Sequence, residues 1–207
     1  MGSPTSAPVS GLFPGEVTQY EGQKLTTINT FLDDIAQHPD VAIDGTQVIN
    51  QSTYRLTVTG LVSQPVEYSY SDVVNNFTSY QNVGTLLCVE GWSVTILWDG
   101  VRVSDLLDDA GADMNATTVT FYCYDGYSTS VPLSYIVDDD IIMAYAMNNV
   151  TIPPERGFPF QLVAEGKWGY KWAKWITRIE VSDHGLSGYW ESQGYSDDGD
   201  LNRSFLK

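Results

Sequence analysis

Gly166-Lys-Trp-Gly-Tyr-Lys-Trp-Ala-Lys-Trp175 gathers three lysines and four aromatic rings into ten residues of a chain whose formal net charge is -16. Five of the ten Lys and Arg residues (Arg156, Lys167, Lys171, Lys174, Arg178) lie between positions 156 and 178, where the only acids in or immediately beside the window are Glu155 and Glu165. Cations collected against so negative a background imply a local anion, and Lys or Arg with backbone N–H groups is the usual way to hold a phosphate. The alternative reading is a solvated basic face with its aromatic stems packed beneath it.

Outward from this stretch, composition bounds the rest. The 207 residues are 43% hydrophobic and 17% charged, enough for one sizeable core with at most a small appendage. A pI near 4.1 argues against nucleic acid and against anionic membrane surfaces, both of which are bound through accumulated positive charge. No run approaches the roughly 18 residues of a membrane span, and the first residues lack the regions of a signal peptide, so direct membrane insertion is not expected. Met1-Gly2-Ser3 reads as an added leader and Pro4 to Gly15 has the composition of a tether. The expected organisation is a flexible N-terminal tether over 1–26 and a single domain over 27–207. Five N-x-S/T sequons, at Asn50, Asn76, Asn115, Asn149 and Asn202, exceed the roughly one or two that chance would place among nine asparagines. They favour a periplasmic or cell-surface location, with any signal or anchor lying outside this sequence.

The elements read as short strands with few helices. Strand patterns cover Tyr54 to Val62, Thr85 to Val89, Val94 to Trp98, Val101 to Val103, Val119 to Tyr124, Ile141 to Met147, Val150 to Ile152, Phe160 to Ala164 and Trp175 to Val181. Asp99-Gly100 and Asn148-Asn149 are expected to turn hairpins. Helices are predicted over Thr30 to Gln37, Ser71 to Phe77, and Ser104 to Ala110 with Ser104 as N-cap and Gly111 as the stop. Strand and helix do not alternate regularly, which points to an α+β domain, β-rich with mixed sheets and a few short helices.

Common catalytic motifs are missing: no G-x-G-x-x-G, P-loop, H-E-x-x-H or nucleophile elbow occurs. His38, His184, Cys88 and Cys123 are the only soft metal-ligand candidates, and no two stand at zinc spacing. The paired acids (Asp33-Asp34, Asp108-Asp109, Asp138-Asp139-Asp140, Asp197-Asp198) read as solvated turns, with calcium as the functional alternative. The two cysteines allow a disulfide or a metal thiolate. Cys88 opens Cys88-Val-Glu-Gly-Trp-Ser93, where Gly91 can turn the backbone beside the sulfur.

Six blocks in order, Tyr54-Arg-Leu-Thr-Val-Thr-Gly-Leu61, Cys88-Val-Glu-Gly-Trp-Ser93, Tyr122-Cys-Tyr-Asp-Gly-Tyr-Ser128, Met143-Ala-Tyr-Ala-Met-Asn148, Arg156-Gly-Phe-Pro159 and the 166–176 stretch, closely resemble the molybdopterin-binding domain of the sulfite oxidase family. The resemblance covers about residues 50 to 195 and is strongest to short stand-alone members related to the catalytic subunit of periplasmic methionine sulfoxide reductase. It implies that family's fold, and a mononuclear molybdenum, or tungsten, on one molybdopterin with Cys88 as the only protein ligand. The anion expected beside Lys167, Lys171 and Lys174 would be the pterin phosphate. Arg156, Gln161, Trp172, Ala173 and Lys174 would line the cofactor, Cys123 would sit close to it, and Tyr127 falls near the place of an active-site tyrosine.

Departures from the family pattern matter equally. Gln161 takes the place of an arginine and Arg156 the place of a histidine or asparagine. Trp92-Ser93 follow where a substrate-gripping arginine would stand, and an N-terminal Arg-Asn-His segment has no counterpart. Burying a small dianion such as sulfite in so aromatic a pocket would be costly. The expected activity is therefore oxygen-atom transfer on a small neutral S-oxide or N-oxide, with Trp92 and Tyr127 shaping the substrate mouth. No haem or flavin motif is present, so electrons would be exchanged with a separate electron-transfer protein or membrane redox subunit. The reading from another class is a non-catalytic adhesion or binding module that keeps the fold.

Overall fold

A computed structural model describes residues 11–36, 42–113 and 115–207. In chain order the elements are β1 (Gln19–Tyr20), β2 (Gln23–Lys24), α1 (Ile28–Ala36), β3 (Arg55–Gly60), β4 (Val66–Ser69), α2 (Tyr70–Asn76), β5 (Tyr80–Leu87), β6 (Ser93–Arg102), α3 (Val103–Asp109), β7 (Thr118–Cys123), β8 (Ser128–Pro132), α4 (Leu133–Asp138), β9 (Ile142–Met147), β10 (Val150–Thr151), β11 (Gln161–Leu162) and β12 (Ile176–Ser182). One five-stranded sheet runs β4-β3-β12-β7-β8, and a second runs β10-β9-β6-β5 with β11 also on β9. The first sheet is mixed: β12 at its centre pairs parallel with β3 and antiparallel with β7.

One hydrophobic cluster joins the two sheets. Leu56, Val58, Phe121 and Ile179 from the first and Ile96, Trp98 and Met143 from the second are fully buried within it. Alternation on β3, where Leu56 and Val58 point inward between more exposed neighbours, is the period-2 pattern of a half-buried strand. Strand β7 has lost that alternation because it lies between β12 and β8 with nearly every residue buried.

The Asp99-Gly100 hairpin predicted from sequence is not formed. Val94 to Trp98 and Val101 to Arg102 belong to one strand, β6, which passes through 99–100 with a bulge against β9, while Val103 starts the helix that follows. A Cβ on Gly100 would stand 2.4 Å from the Met143 carbonyl oxygen, so glycine is there for close strand approach rather than for a turn. Instead, β5 and β6 are joined by the segment that starts at Cys88. The Asn148-Asn149 turn does form, with both residues at positive φ between β9 and β10.

Helix starts also shift. Helix α1 begins at Ile28, with the Thr27 hydroxyl accepting from the Thr30 N–H at 3.2 Å. The expected end at Gln37, and His38, lie outside the described residues. Helix α2 opens on a capping box in which the Asp72 N–H donates to Ser69 Oγ and the Ser69 N–H to Asp72. Ser104 is not the cap of α3: Arg102 holds that position without a side-chain bond, and Val103 is buried as the first helical residue. Gly111 closes the helix as expected, its N–H donating to the Asp108 carbonyl.

Residues 13–26, read from composition as tether, are docked on the second sheet's side of the molecule. The Glu16 carboxylate accepts from the N–H groups of Phe13 and Ile28 at 2.9 and 2.6 Å, Val17 donates to the Asn148 carbonyl, and Thr26 donates to that of Thr95. Leu25 is buried. Composition missed this because a single acid, taking three donors with Asn148 included, ties down a segment otherwise rich in turn residues.

Candidate active site

A cavity of about 290 Å³ opens where five loops meet: the β5–β6 connection, the β7–β8 connection, the turn around Arg156, the 169–175 stretch before β12 and the 189–195 segment. Cys88 stands at the first bend of the β5–β6 connection. Its N–H donates to the Trp92 carbonyl, its carbonyl accepts from Gly91, and Gly91 sits at φ +93, so the backbone turns beside the sulfur. The thiol is half-buried and donates to Glu90 Oε2 at 3.6 Å; the same oxygen accepts from Trp92 Nε1 at 3.3 Å. Burial is the main cause that pushes the Cys88 thiol up to about 11, with the Glu90 charge adding to it.

Arg156 and Lys174 bring the positive charge. Arg156, on the short 3-10 turn Pro154–Arg156, is 2% exposed, and its guanidinium lies 3.6 Å above the centre of the Phe31 ring. Burial pulls it down to about 9, opposed by the nearby Cys88. Gly157 lets the two cations approach, since a Cβ there would be 2.9 Å from Lys174 Cβ. The Lys174 ammonium is enclosed although the residue as a whole is half-buried, and it lies 4.4 Å from the Trp175 ring. Burial, then the Arg156 charge, bring Lys174 down to about 7, while Asp125 and Cys123 act the other way.

Behind the cavity, Cys123 is buried and its sulfur accepts from the Lys174 backbone N–H; burial holds its thiol well above the usual range. Cys88 and Cys123 are both free thiols, so the disulfide alternative is not realised. Gln161 is fully buried, pairs with Lys174 across the backbone, and has no hydrogen-bond partner on either side-chain polar atom; Arg156 Nε is likewise without one. Trp172 lines the cavity and packs on Trp98 at 5.8 Å, and Ala173 is buried with its carbonyl accepting from Leu162. Tyr127 also lines the cavity, but its hydroxyl donates to the Tyr170 carbonyl, which makes it a wall residue with its proton engaged.

The other two lysines of the basic stretch are elsewhere. Lys171 has no exposed surface and donates to Glu191 at 2.5 Å and to the Ser130 carbonyl at 3.0 Å. Lys167 pairs with the Asp200 carboxylate and the Asp198 carbonyl over the Tyr135 ring. Neither of these two residues expected to bind cofactor lines the cavity; each pairs with an acid of the C-terminal segment. Sequence reading also missed Phe31, Glu90, Asp125, Tyr189, Trp190 and Tyr195. Only the aromatic density of 189–195 in a polar tail could have signalled the last three.

The residues fit the cofactor that the resemblance implies. Among the described residues no group of three or more His, Cys, Asp or Glu could hold a metal, and a metal at Cys88 fits a centre whose remaining ligands come from a non-protein group. Two enclosed cations, orphaned polar atoms on Arg156 and Gln161 and a cavity beside the thiol match a ligand that brings sulfur donors and a phosphate.

The model of the oxidoreductase molybdopterin-binding domain family matches residues 43–190. The oxidoreductase YuiH of Bacillus subtilis (strain 168) is 34% identical over 152 residues, covering 73% of this chain and 76% of that protein. The protein-methionine-sulfoxide reductase catalytic subunit MsrP of Gluconobacter oxydans (strain 621H) is 28% identical over 191 residues, 84% of this chain; the chain spans 61% of that relative's length. Among solved structures, the sulfane dehydrogenase SoxCD of Paracoccus pantotrophus shares the fold with a TM-score of 0.64 at 20% identity, covering 90% of this chain and 57% of that one. The β-rich α+β architecture expected from the order of strands and helices is the one observed, with the fold that the resemblance implies.

Proposed function

The chain belongs to the oxidoreductase molybdopterin-binding domain family, whose cofactor is a molybdopterin carrying molybdenum, and from that premise we propose an enzyme of oxygen-atom transfer acting on small, neutral S-oxides or N-oxides. The observation that carries it is one cavity faced by Cys88, Arg156 and Lys174 together. Residues 27–207 would form the single catalytic domain, with residues 13–26 packed onto it.

When bound, the cofactor supplies the redox chemistry and the site of oxygen transfer. Cys88 would be the protein's metal ligand, and since its free thiol titrates near 11 the proton must leave as the metal enters. Arg156 stands beside that sulfur and would stabilise the thiolate. Lys174, with Arg156 and Gln161, would hold the pterin and its phosphate, and the Cys123–Lys174 contact would fix the lysine backbone. Trp172 and Ala173 would pack against it. Trp92 and Tyr127 would form walls of the substrate mouth and exclude water from it.

Arg156 and Lys174 are the only cations among the described residues lining the cavity, and both are assigned to the cofactor. A small oxyanion would then be desolvated without a partner, which disfavours sulfite and nitrate. Electrons would be exchanged with a separate redox protein or membrane subunit; no helix among the described residues is long and apolar enough to cross a membrane. All five sequon asparagines are exposed, which supports an extracytoplasmic setting.

Molybdenum and tungsten per polypeptide, measured by elemental mass spectrometry on protein from a cofactor-producing host, test the assignment. Near one metal per chain is expected, lost in Cys88→Ser. No metal in the wild type, while another family member loads fully in the same host, would overturn it.

A further inference from the structure

The outer wall of the cavity is built by a segment the family match barely reaches. That match ends at residue 190, whereas Tyr189, Trp190 and Tyr195 all line the cavity. These rings join Tyr127 in a chain of tilted contacts: Tyr127 to Tyr189 at 6.1 Å and 50°, Tyr189 to Trp190 at 5.3 Å and 84°, Trp190 to Tyr195 at 5.1 Å and 42°. No neighbouring pair is parallel, so successive rings turn their faces in different directions around the opening instead of stacking into a slab.

The wall is held from behind. The Glu191 carboxylate, fully buried between Trp190 and the following turn, takes Lys171 and the Thr129 hydroxyl, at 2.5 and 2.6 Å. The Tyr189 N–H donates to the Ser128 carbonyl and the Tyr195 N–H to that of Trp190. A ring set anchored by a buried ion pair is preorganised for a ligand.

Charge in the opening has one sign left over. Arg156 and Lys174 are assigned to the cofactor, whose phosphate alone brings about -1.5 to -2. Glu90, exposed at the rim beside Trp92, and Asp125, fixed by the N–H groups of Tyr127 and Ile43, are the acids that line the same space. Aromatic faces attract cations through the ring quadrupole, most strongly for alkylammonium groups, and a net charge of -16 raises the local concentration of cations at such an opening.

We propose that the mouth is an onium-binding cage, so that the oxide substrates this site prefers carry a quaternary or protonated alkylammonium group on their non-reacting part, held by Trp92, Tyr127, Tyr189, Trp190 and Tyr195 with Glu90 and Asp125. The inference rests on the cavity being the substrate mouth of the proposed enzyme. It modifies that reading in one respect: the reacting oxide group stays neutral, and the molecule carries a positive charge on a tail seated away from the reacting oxygen.

Choline and 3,3-dimethylbutan-1-ol have nearly the same shape and differ in charge, which makes them the probes. Calorimetric titration of the full chain, with its metal content measured separately, should show choline bound about tenfold or more tightly than the neutral alcohol. Trp190→Leu should weaken choline about tenfold. Glu90→Gln, which keeps the side chain's size and an acceptor oxygen while removing its charge, should weaken choline severalfold and leave the alcohol unchanged. Equal affinity for the two probes, no choline binding, or both variants binding choline like the wild type would overturn the cage. Metal content near one with no choline preference sinks the cage alone. Absence of metal, while another family member loads fully in the same host, sinks the molybdenum assignment and with it the neutralised cations on which the cage depends.

Discussion

At the scale of single residues, three lysines that look equivalent in sequence have three different fates. Lys167, Lys171 and Lys174 stand in one basic stretch, yet only Lys174 reaches the cavity. Their acids, Asp200 and Glu191, lie 33 and 20 residues further along the chain, beyond the reach of local pattern. Cys88, by contrast, was legible, because a cysteine followed by a glycine that turns the backbone is a local signal and the structure keeps it at a bend. Lys174 carries a prediction for cofactor-free protein. Its folded value is brought down to about 7 from an ordinary value near 10.5. Between those limits the unfolded chain binds a proton that the folded chain does not, so stability rises with pH across the window and is lowest, and level, below it. The urea midpoint should therefore climb from pH 7 to 8, by at most about 1.4 kcal/mol per pH unit from this group, before the two thiols that burial holds above their free range act the other way. Lys174→Met should flatten the climb, as should cofactor loading, since an anion beside the ammonium restores its proton affinity. An unchanged slope in Lys174→Met would refute the assignment.

Among the elements, the turns carry the information and the strands are more nearly interchangeable. The Asn148-Asn149 turn was readable from its residues, whereas Asp99-Gly100 carries the same local signal and is a bulge, because β9 comes close enough to need a residue without a side chain. Strand β8 and helix α4 went unread: β8 is short and rich in serine, and α4 is six residues held by the core through Ile136. The 3-10 turn Glu191–Gln193 is the element on which the cavity wall depends. Removing one partner from a buried ion pair leaves the other charge stranded, typically about 3–5 kcal/mol of lost stability, whereas replacing both with apolar groups is often neutral. Glu191→Gln should lower the urea-derived stability by that order. The double variant Lys171→Met with Glu191→Leu should recover most of it, and a double variant as unstable as the single one would show that the stranded charge is not the cause.

For the whole molecule, 26 acids against ten Lys and Arg leave a charge of -16 that must repel itself across a fold of this size. Its surface ion pairs, such as Arg55–Glu67 and Arg203–Asp198, are exposed and each is worth little. Screening should therefore help more than it harms. The Debye length falls from about 10 Å at 0.1 M salt to about 3 Å at 1 M, and the urea midpoint should rise over that range of potassium chloride. A flat or falling midpoint would mean that the ion pairs outweigh the repulsion. The chain by itself determined the family, the β-rich class and the thiol at its bend, because each is written in local residue type or short spacing. Only the tertiary structure decided which cations face the cavity, that residues 13–26 belong to the body, and that the C-terminal aromatics wall the cavity. Those outcomes depend on buried acids and close backbone contacts between segments far apart in sequence, and such pairings exist only once the two sheets have closed on one core.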